Sequence, residues 1–356
     1  MFLAFKELKY SKTKFALIIT VIILISYLVY FLTSLANGLA SSYTNAINEW
    51  KSNEVVLTLD ANDNLMMSYM VADDFDAIQV DGEKAKLGLF PAVINNPEAE
   101  DVLESRLDVY FFGIEDDSFI KPQTEETLTL TDNQVIVDEE LQKEGYEIGD
   151  KFGVTGSDEL YEIIGFSSKT TYQTAPVVFM NLETWQQYRY GTQNTPNLFS
   201  GVVVKGETTD LPENLITYTT ADFISTLPGY TAQVLTFSVM IVFLIIITAF
   251  VLGIFIYVLT IQKTSMFGVM KAQGISNKYI GGSVIVQTFL LVAIGIIVGL
   301  GLTAISGYFL ADIIPFATNY LFYGIITLAF FLFALFGGLF SVSAVLKIDP
   351  LKAIGG

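Results

Sequence analysis

The sequence predicts an α-helical membrane protein with four transmembrane helices and one extracytoplasmic α+β domain inserted between the first and second helices. Three observations carry that fold class. Four runs without a charged residue, 15–48, 231–261, 279–311 and 313–346, each exceed the roughly 20 residues that cross about 30 Å of hydrocarbon as a helix. Between the first and second runs lies a long polar stretch whose apolar residues fall in short, β-rich groups. The charge is also divided: residues 37–230 hold 34 acidic and 10 basic residues, and the remainder holds 3 and 9. The positive-inside bias places the basic remainder, with both termini, in the cytoplasm and the acidic stretch outside.

Composition narrows the chemistry. Of 356 residues, 52% are hydrophobic, and the net charge is −18. An acidic outer domain argues against nucleic acid as a partner and reads first as a well-solvated surface. With no cysteine, that domain folds without disulfides, and thiolate metal sites and cysteine nucleophiles are excluded. With no histidine, zinc hydrolases and Ser-His-Asp hydrolases lose their central residue. No catalytic, cofactor-binding or metal-ligating set is expected. Adjacent acids such as Glu139 and Glu140, or Asp116 and Asp117, read as solvated surface rather than as acid and base partners.

In chain order, residues 1–14 set Phe2, Leu3, Phe5 and Leu8 among Lys6, Lys9, Lys12 and Lys14, which suits an amphipathic helix in the inner interface. The apolar run that follows is too long for a signal peptide, so 15–48 reads as a first transmembrane helix continued by a Ser- and Asn-rich stalk. Residues 49–230 read as one extracellular α+β domain, large enough for its own core. Its strands are expected at 54–59, 108–114, 134–137, 161–166, 176–180 and 200–204, with helical pieces at 138–144 and 182–188. Leu227-Pro228-Gly229-Tyr230 marks entry into the second span, 231–261, with a tyrosine at interfacial depth. The third span, 279–311, carries Gly295 and Gly299 in a Gly-x-x-x-Gly face suited to close helix approach, including a dimer seam. A turn near Pro315 leads to the fourth span, 313–346, and residues 347–356 form a cytoplasmic tail.

The bridge at 262–278 is the most informative stretch. It carries Lys263, Lys271 and Lys278 and no acid, and its position between two spans makes it a cytoplasmic element. Thr264 or Ser265 is placed to cap a helix whose apolar positions Met266, Val269 and Met270 recur at helical spacing, and Gly274 is placed to end it. Phe267 and Met270 are expected to face outward from this helix. Two or three turns are unstable alone in water, so the helix needs a docking surface, and a separate cytoplasmic partner follows.

The string Lys263-x3-Phe267-Gly268-Val269-Met270-Lys271-Ala272-x-Gly274-x-Ser276 resembles the coupling helix of the FtsX and MacB superfamily of ABC transporter permeases. Ile348-Asp349-Pro350-x-x-Ala353-Ile354 is similar to that superfamily's C-terminal pattern, and Val135 to Leu141 with Gly145, Gly149 and Asp150 resembles part of a MacB-type outer domain. The resemblance covers the whole chain and implies the type VII ABC permease plan. It also implies a homodimer, two permeases with two copies of a separate ATP-binding subunit. No Gly-x-x-x-x-Gly-Lys-Ser/Thr cradle occurs here, so ATP belongs on that partner and the permease is no enzyme. Residues implied to couple to the ATPase are Lys263, Met266, Phe267, Gly268, Met270, Lys271 and Gly274.

Within the superfamily, Met1-Phe2-Leu3-Ala4 with Lys6-Glu7, Leu35-Ala36-Asn37-Gly38-Leu39, Leu227 to Tyr230 and Lys263 to Gly274 resemble the HrtB-type permeases of bacterial haem-efflux systems. That resemblance implies a bacterial cell membrane, haem as transported substrate rather than resident cofactor, and haem entry from the bilayer near the outer ends of the spans. Without histidine the iron ligand would be tyrosine, methionine or carboxylate. The candidates are Tyr230 and Tyr172 as ligands and Phe75 as a stacking partner, each of which also reads as an ordinary anchor or packing residue. Export of an antimicrobial peptide or another amphiphile, and mechanotransmission to a cell-wall hydrolase, are the alternative functions.

Overall fold

The structure is a computed structural model that describes residues 12–99, 101–191, 197–311 and 313–346. The expected interfacial helix at the N-terminus falls almost wholly outside the described residues, as do Asp312 and the C-terminal Ile-Asp-Pro pattern. Two compact units are present, one of residues Leu39–Gln233 and one made of Met1–Gly38 with Val234–Gly356. In chain order the helices are α1 (Lys12–Glu49), α2 (Ala72–Ala77), α3 (Glu140–Lys143), α4 (Leu182–Tyr190), α5 (Thr220–Thr226), α6 (Tyr230–Ile261), α7 (Thr264–Ala272), α8 (Asn277–Leu310) and α9 (Tyr320–Leu346).

Among the described residues, four helices are long and apolar enough to cross a membrane, within α1, α6, α8 and α9. Their shared core is built from Phe15, Ile18, Ile22, Val29 and Tyr30 of α1 with Leu252, Ile256, Leu291, Val292, Ile296, Ile326 and Phe330. Gly295 and Gly299 serve this bundle and not a seam between copies. A Cβ on Gly295 would lie 2.3 Å from Ile22, and one on Gly299 would lie 2.1 Å from the Ser26 hydroxyl. Ser26 Oγ donates to the Gly295 carbonyl at 3.0 Å, so the close approach also satisfies a polar group inside the bundle. The fourth helix begins at Tyr320, seven residues later than the uncharged run suggests. The intervening segment lies on α1: Ala317 N–H donates to the Ser34 carbonyl at 3.2 Å, and a Cβ on Gly38 would lie 2.2 Å from the Pro315 carbonyl oxygen. Asn319 then caps α9, accepting from Leu321 N–H at 3.1 Å.

The unit Leu39–Gln233 is organised by a ten-stranded sheet. Its main strands are β1 (Glu54–Thr58), β2 (Glu83–Asn95), β3 (Leu107–Ile114), β4 (Gln134–Asp138), β5 (Lys151–Val154), β6 (Leu160–Ser167), β7 (Ala175–Asn181), β8 (Gly201–Lys205) and β9 (Leu215–Thr219). They run in the order β9-β1-β8-β2-β3-β7-β4-β6-β5, and Thr171–Tyr172 adds to β7. The far end of β2 pairs again with β5, Ile94 opposite Val154, which closes the strands from β2 to β5 on themselves. Alternation along the strands divides the side chains into two cores. Val56, Phe111, Val135, Val137, Val178 and Met180 fill one; Val55, Leu57, Phe112, Ile136, Val177 and Phe179 fill the other.

The six expected strands are present. Three main strands are not expected from the sequence, β2, β5 and β9, and the longest of them is β2, 13 residues with Gly88 and Pro91 inside it. Both residues fit because of what β2 touches. It pairs with β8 only up to Leu87 and with β3 from Gly88 onward, so Pro91 has a ladder on one side alone. Gly88 lies opposite Gly113 of β3, and a Cβ on either would lie 2.5 Å from Trp185, which is fully buried. Two glycines on neighbouring strands make the slot that receives the indole of α4. Arg189, one helical turn on, lies 5.2 Å from the Trp185 ring and 5.1 Å from Phe90, and donates to the carbonyls of Leu89 and Met66. These contacts fix α4 to the sheet.

Of the paired acids, Asp116 has a structural duty. Asp116 accepts from Lys121 Nζ at 2.6 Å and from Leu130 N–H at 2.8 Å, which holds its carboxyl below the usual range and staples the loop after β3. Glu140 is half-buried, and burial pushes its carboxyl up, so it is less solvated than its neighbours suggest.

Candidate functional site

The bridge between α6 and α8 folds as the sequence predicts in outline and differs in facing. Thr264–Ala272 is a helix, α7, and Gly274 ends it with φ +83° while Ile275 N–H donates to the Met270 carbonyl at 3.0 Å. Ser276 then opens α8, its hydroxyl accepting from Tyr279 N–H. Neither Thr264 nor Ser265 caps α7. The residue before the helix is Lys263, and Thr264 Oγ1 instead donates back to the Ile261 carbonyl.

Phe267 does not face outward. It is 1% exposed and packs with Ile280 and Val284 of α8, with Met270, Ile275 and Val342 around them. The reason is helical spacing: Phe267, Met270 and the chain reversal at Gly274 share one face, and the nearest apolar surface is the start of the following span. Gly268 is buried with Phe267. The exposed apolar residues are Met266 at 37% and Val269 at 42%, three apart on the other face, with Tyr279 at 51% beyond the turn. Lys263 also turns inward, donating to Gln287 Oε1 at 2.9 Å. Lys271 is half-exposed in the last turn, where a cation suits the helix dipole.

The aromatic candidates are not one cluster. Tyr172 and Tyr230 both belong to the core that contains Phe112 and Phe179, whereas Phe75 packs on the other core against Phe199. Phe75 is further occupied by the ammonium groups of Lys84 and Lys86, 4.5 and 4.8 Å from its ring centre. The sheet therefore separates it from both tyrosines, and it cannot stack on a ligand that they hold.

Tyr172 is fully buried and meets Tyr110 and Phe112 edge-on at 4.9 and 5.6 Å. Burial pushes its phenol well above the usual tyrosine value. The next two residues, Gln173 and Thr174, turn the chain with φ of 48° and 71°, a conformation that side chains adopt at a cost. Their N–H groups donate to the carbonyls of Tyr43 and Ser42 near the end of α1. Tyr172 also lines a cavity of about 310 Å³ with Asp60, Asp63, Phe223, Leu227 and Pro228. Tyr230 follows two residues after that wall, half-buried, with its ring 6.0 Å from Tyr43. Gly229 before it has φ +80°, the left-handed turn that brings the chain into α6. Neither Tyr43 nor the Asp60–Leu65 wall is legible in the sequence, because both meet the tyrosines only through the fold.

Residues 238–350 match the family model described as FtsX-like permease C-terminal. Over the full length of this chain, 29% of residues are identical to a protein of Staphylococcus epidermidis strain ATCC 12228 named for a proposed role as hemin transport system permease protein HrtB, with 99% of that protein covered. A protein of the same name from Staphylococcus haemolyticus is 26% identical, again with all of this chain and 99% of the relative covered.

Proposed function

We propose that this FtsX-like ABC permease is the membrane subunit of an ATP-driven efflux system whose cargo is haem, driven by a separate ATP-binding subunit. The observation that carries the cargo is the similarity to hemin transport permeases along the whole chain, outer unit included. What supports the coupling is α7, a nine-residue helix between two spans with Met266 and Val269 exposed on one face. In this reading α7 lies in the cytoplasm, those two residues enter a groove of the ATPase, and Phe267 and Gly268 act from behind by seating α7 on α8. Both termini are cytoplasmic and the unit Leu39–Gln233 is extracellular. Two permeases pair with two ATPases, since four spans are few for a two-ATPase machine.

ATPase closure pushes α7, the spans carry the displacement, and the outer unit moves to release haem from the membrane. Tyr230 is the first choice of iron ligand: its phenol oxygen can bind ferric iron as phenolate, and it opens the second span. Tyr172 is a wall of the neighbouring cavity, and its burial opposes phenolate formation. Deletion of the gene, followed by growth on graded haem, tests the reading. Haem hypersensitivity restored by wild type supports it, whereas unchanged haem tolerance with altered tolerance to an antimicrobial peptide favours peptide export, and altered cell separation favours mechanotransmission.

A further inference from the structure

We propose that Lys263 is a positioning residue that ties the first turn of α7 to two spans at once, its ammonium working inside the bundle and not on the ATPase surface. This rests on the reading of α7 as the coupling helix. Four elements meet at Lys263. Its backbone closes the last turn of α6, with Lys263 N–H donating to the Thr260 carbonyl at 3.1 Å, and its carbonyl accepts from Phe267 N–H at 2.9 Å within α7. Its side chain reaches α8, where Nζ donates to Gln287 Oε1 at 2.9 Å, and it covers the Phe15 ring of α1 at 5.1 Å.

The surroundings make the contact more than a surface hydrogen bond. Gln287 is 6% exposed, and its Nε2 is buried without a partner among the described residues. Ile256, Leu259, Val284 and Leu291 stand around the pair, and the gap between them is about 10 Å³, no more than a single water needs. Gln287 is buried, so its amide has little water with which to replace the ammonium. A glutamine in a membrane helix is also costly without a partner, and Lys263 gives it one. The lysine stem follows the apolar wall while its head finds a polar group and an aromatic face.

The mechanical consequence follows from connectivity. α7 is linked to the spans through two chain reversals, the corner at Lys263 and the left-handed turn at Gly274, and Phe267 seats its middle on α8. Without a tie at the first point, a push on Met266 and Val269 could tilt α7 about its own ends. With the tie, the same push moves α6, α8 and α1 together. Loss of Lys263 should therefore leave the ATPase bound and hydrolysing ATP while the stroke is wasted.

The test uses the full-length permease with its ATPase in proteoliposomes loaded with hemin, comparing wild type with Lys263→Met, Lys263→Arg, Gln287→Leu and Gln287→Glu. Expected are wild-type co-purification of the ATPase with all four, and at least a tenfold fall in haem exported per ATP for Lys263→Met and Gln287→Leu. Lys263→Arg and Gln287→Glu, which keep a donor facing an acceptor, should stay within about threefold of wild type. Loss of the ATPase from Lys263→Met, with normal coupling in what remains, would make Lys263 a docking cation and overturn the proposal. A second arm uses the permease alone: the thermal shifts of Lys263→Met and Gln287→Leu should not add in the double variant. Full additivity overturns the tie whatever the cargo, whereas a wild-type complex that exports no haem overturns only the efflux reading.

Discussion

The bridge around α7 and the aromatic set Tyr230, Tyr172 and Phe75 respond differently to folding. Residues 262–279 are contiguous, and a nine-residue helix with a glycine stop keeps them together whatever the rest of the chain does. The aromatic residues come from a two-residue strand, a short helix and the start of a span, so only the sheet decides which of them share a core. It keeps Tyr172 with Tyr230 and puts Phe75 on the opposite face. Contiguity protects a motif, but it does not say which side of the helix is buried.

The strongest way to break this comparison is at Phe267. Phe267→Asp puts a carboxylate into the apolar contact with Ile280 and Val284, and truncation alone costs about 3–5 kcal/mol. The variant should fall sharply in membrane level and in thermal stability of the permease alone. Met266→Asp, one residue away on the exposed face, should leave both unchanged and remove the ATPase. Equal behaviour of the two would mean that α7 has no distinct inner and outer faces.

A somewhat smaller effect is expected in the unit Leu39–Gln233 at the slot for Trp185. Gly88→Val places two methyl groups where the indole lies, and about 1–3 kcal/mol of overpacking follows, or more if α4 detaches. Intrinsic fluorescence is a direct readout, because the chain has two tryptophans and Trp185 is one of them. An unshifted emission with unchanged stability would show that the slot tolerates a side chain.

Smaller again are the changes at the aromatic set, read as haem carried by protein purified from haem-fed cells. Tyr230→Phe keeps the ring and removes the oxygen, and should lower haem severalfold. Tyr230→Ala with Tyr172→Ala should lower it further. Phe75→Leu should leave haem content at the wild-type level, since its ring is on the other core and is covered by Lys84 and Lys86. Loss of haem from Phe75→Leu alone would show that the two faces of the sheet are linked in binding.

Much of this fold is legible in the sequence for simple reasons. Uncharged runs give the four long helices, and β-branched groups bounded by turns give the strands at Glu54, Leu107, Gln134, Leu160, Ala175 and Gly201. What stays hidden depends on partners. Glu83–Asn95 reads poorly as a strand because Pro91 and Gly88 are acceptable only beside a one-sided ladder and an incoming indole. The later start of α9 depends on the carbonyl of Ser34, far away in sequence. The Gly295–Gly299 face suggests close approach correctly but cannot say that the approaching helix is α1 of the same chain. In the bridge, spacing gives the helix and its stop, while the inward turn of Phe267 and Lys263 needs the positions of Val284 and Gln287.

The central claim is that haem leaves the membrane because an ATPase works through the exposed face of α7. The most direct measurement reconstitutes the permease and its ATPase in hemin-loaded proteoliposomes and follows haem loss on addition of ATP, for wild type and for Val269→Asp, whose residue is 42% exposed on that face. The account predicts ATP-dependent haem loss by wild type and none by Val269→Asp, with equal permease in both preparations. Haem loss by both at the same rate, or by neither while the wild-type complex hydrolyses ATP, would contradict it.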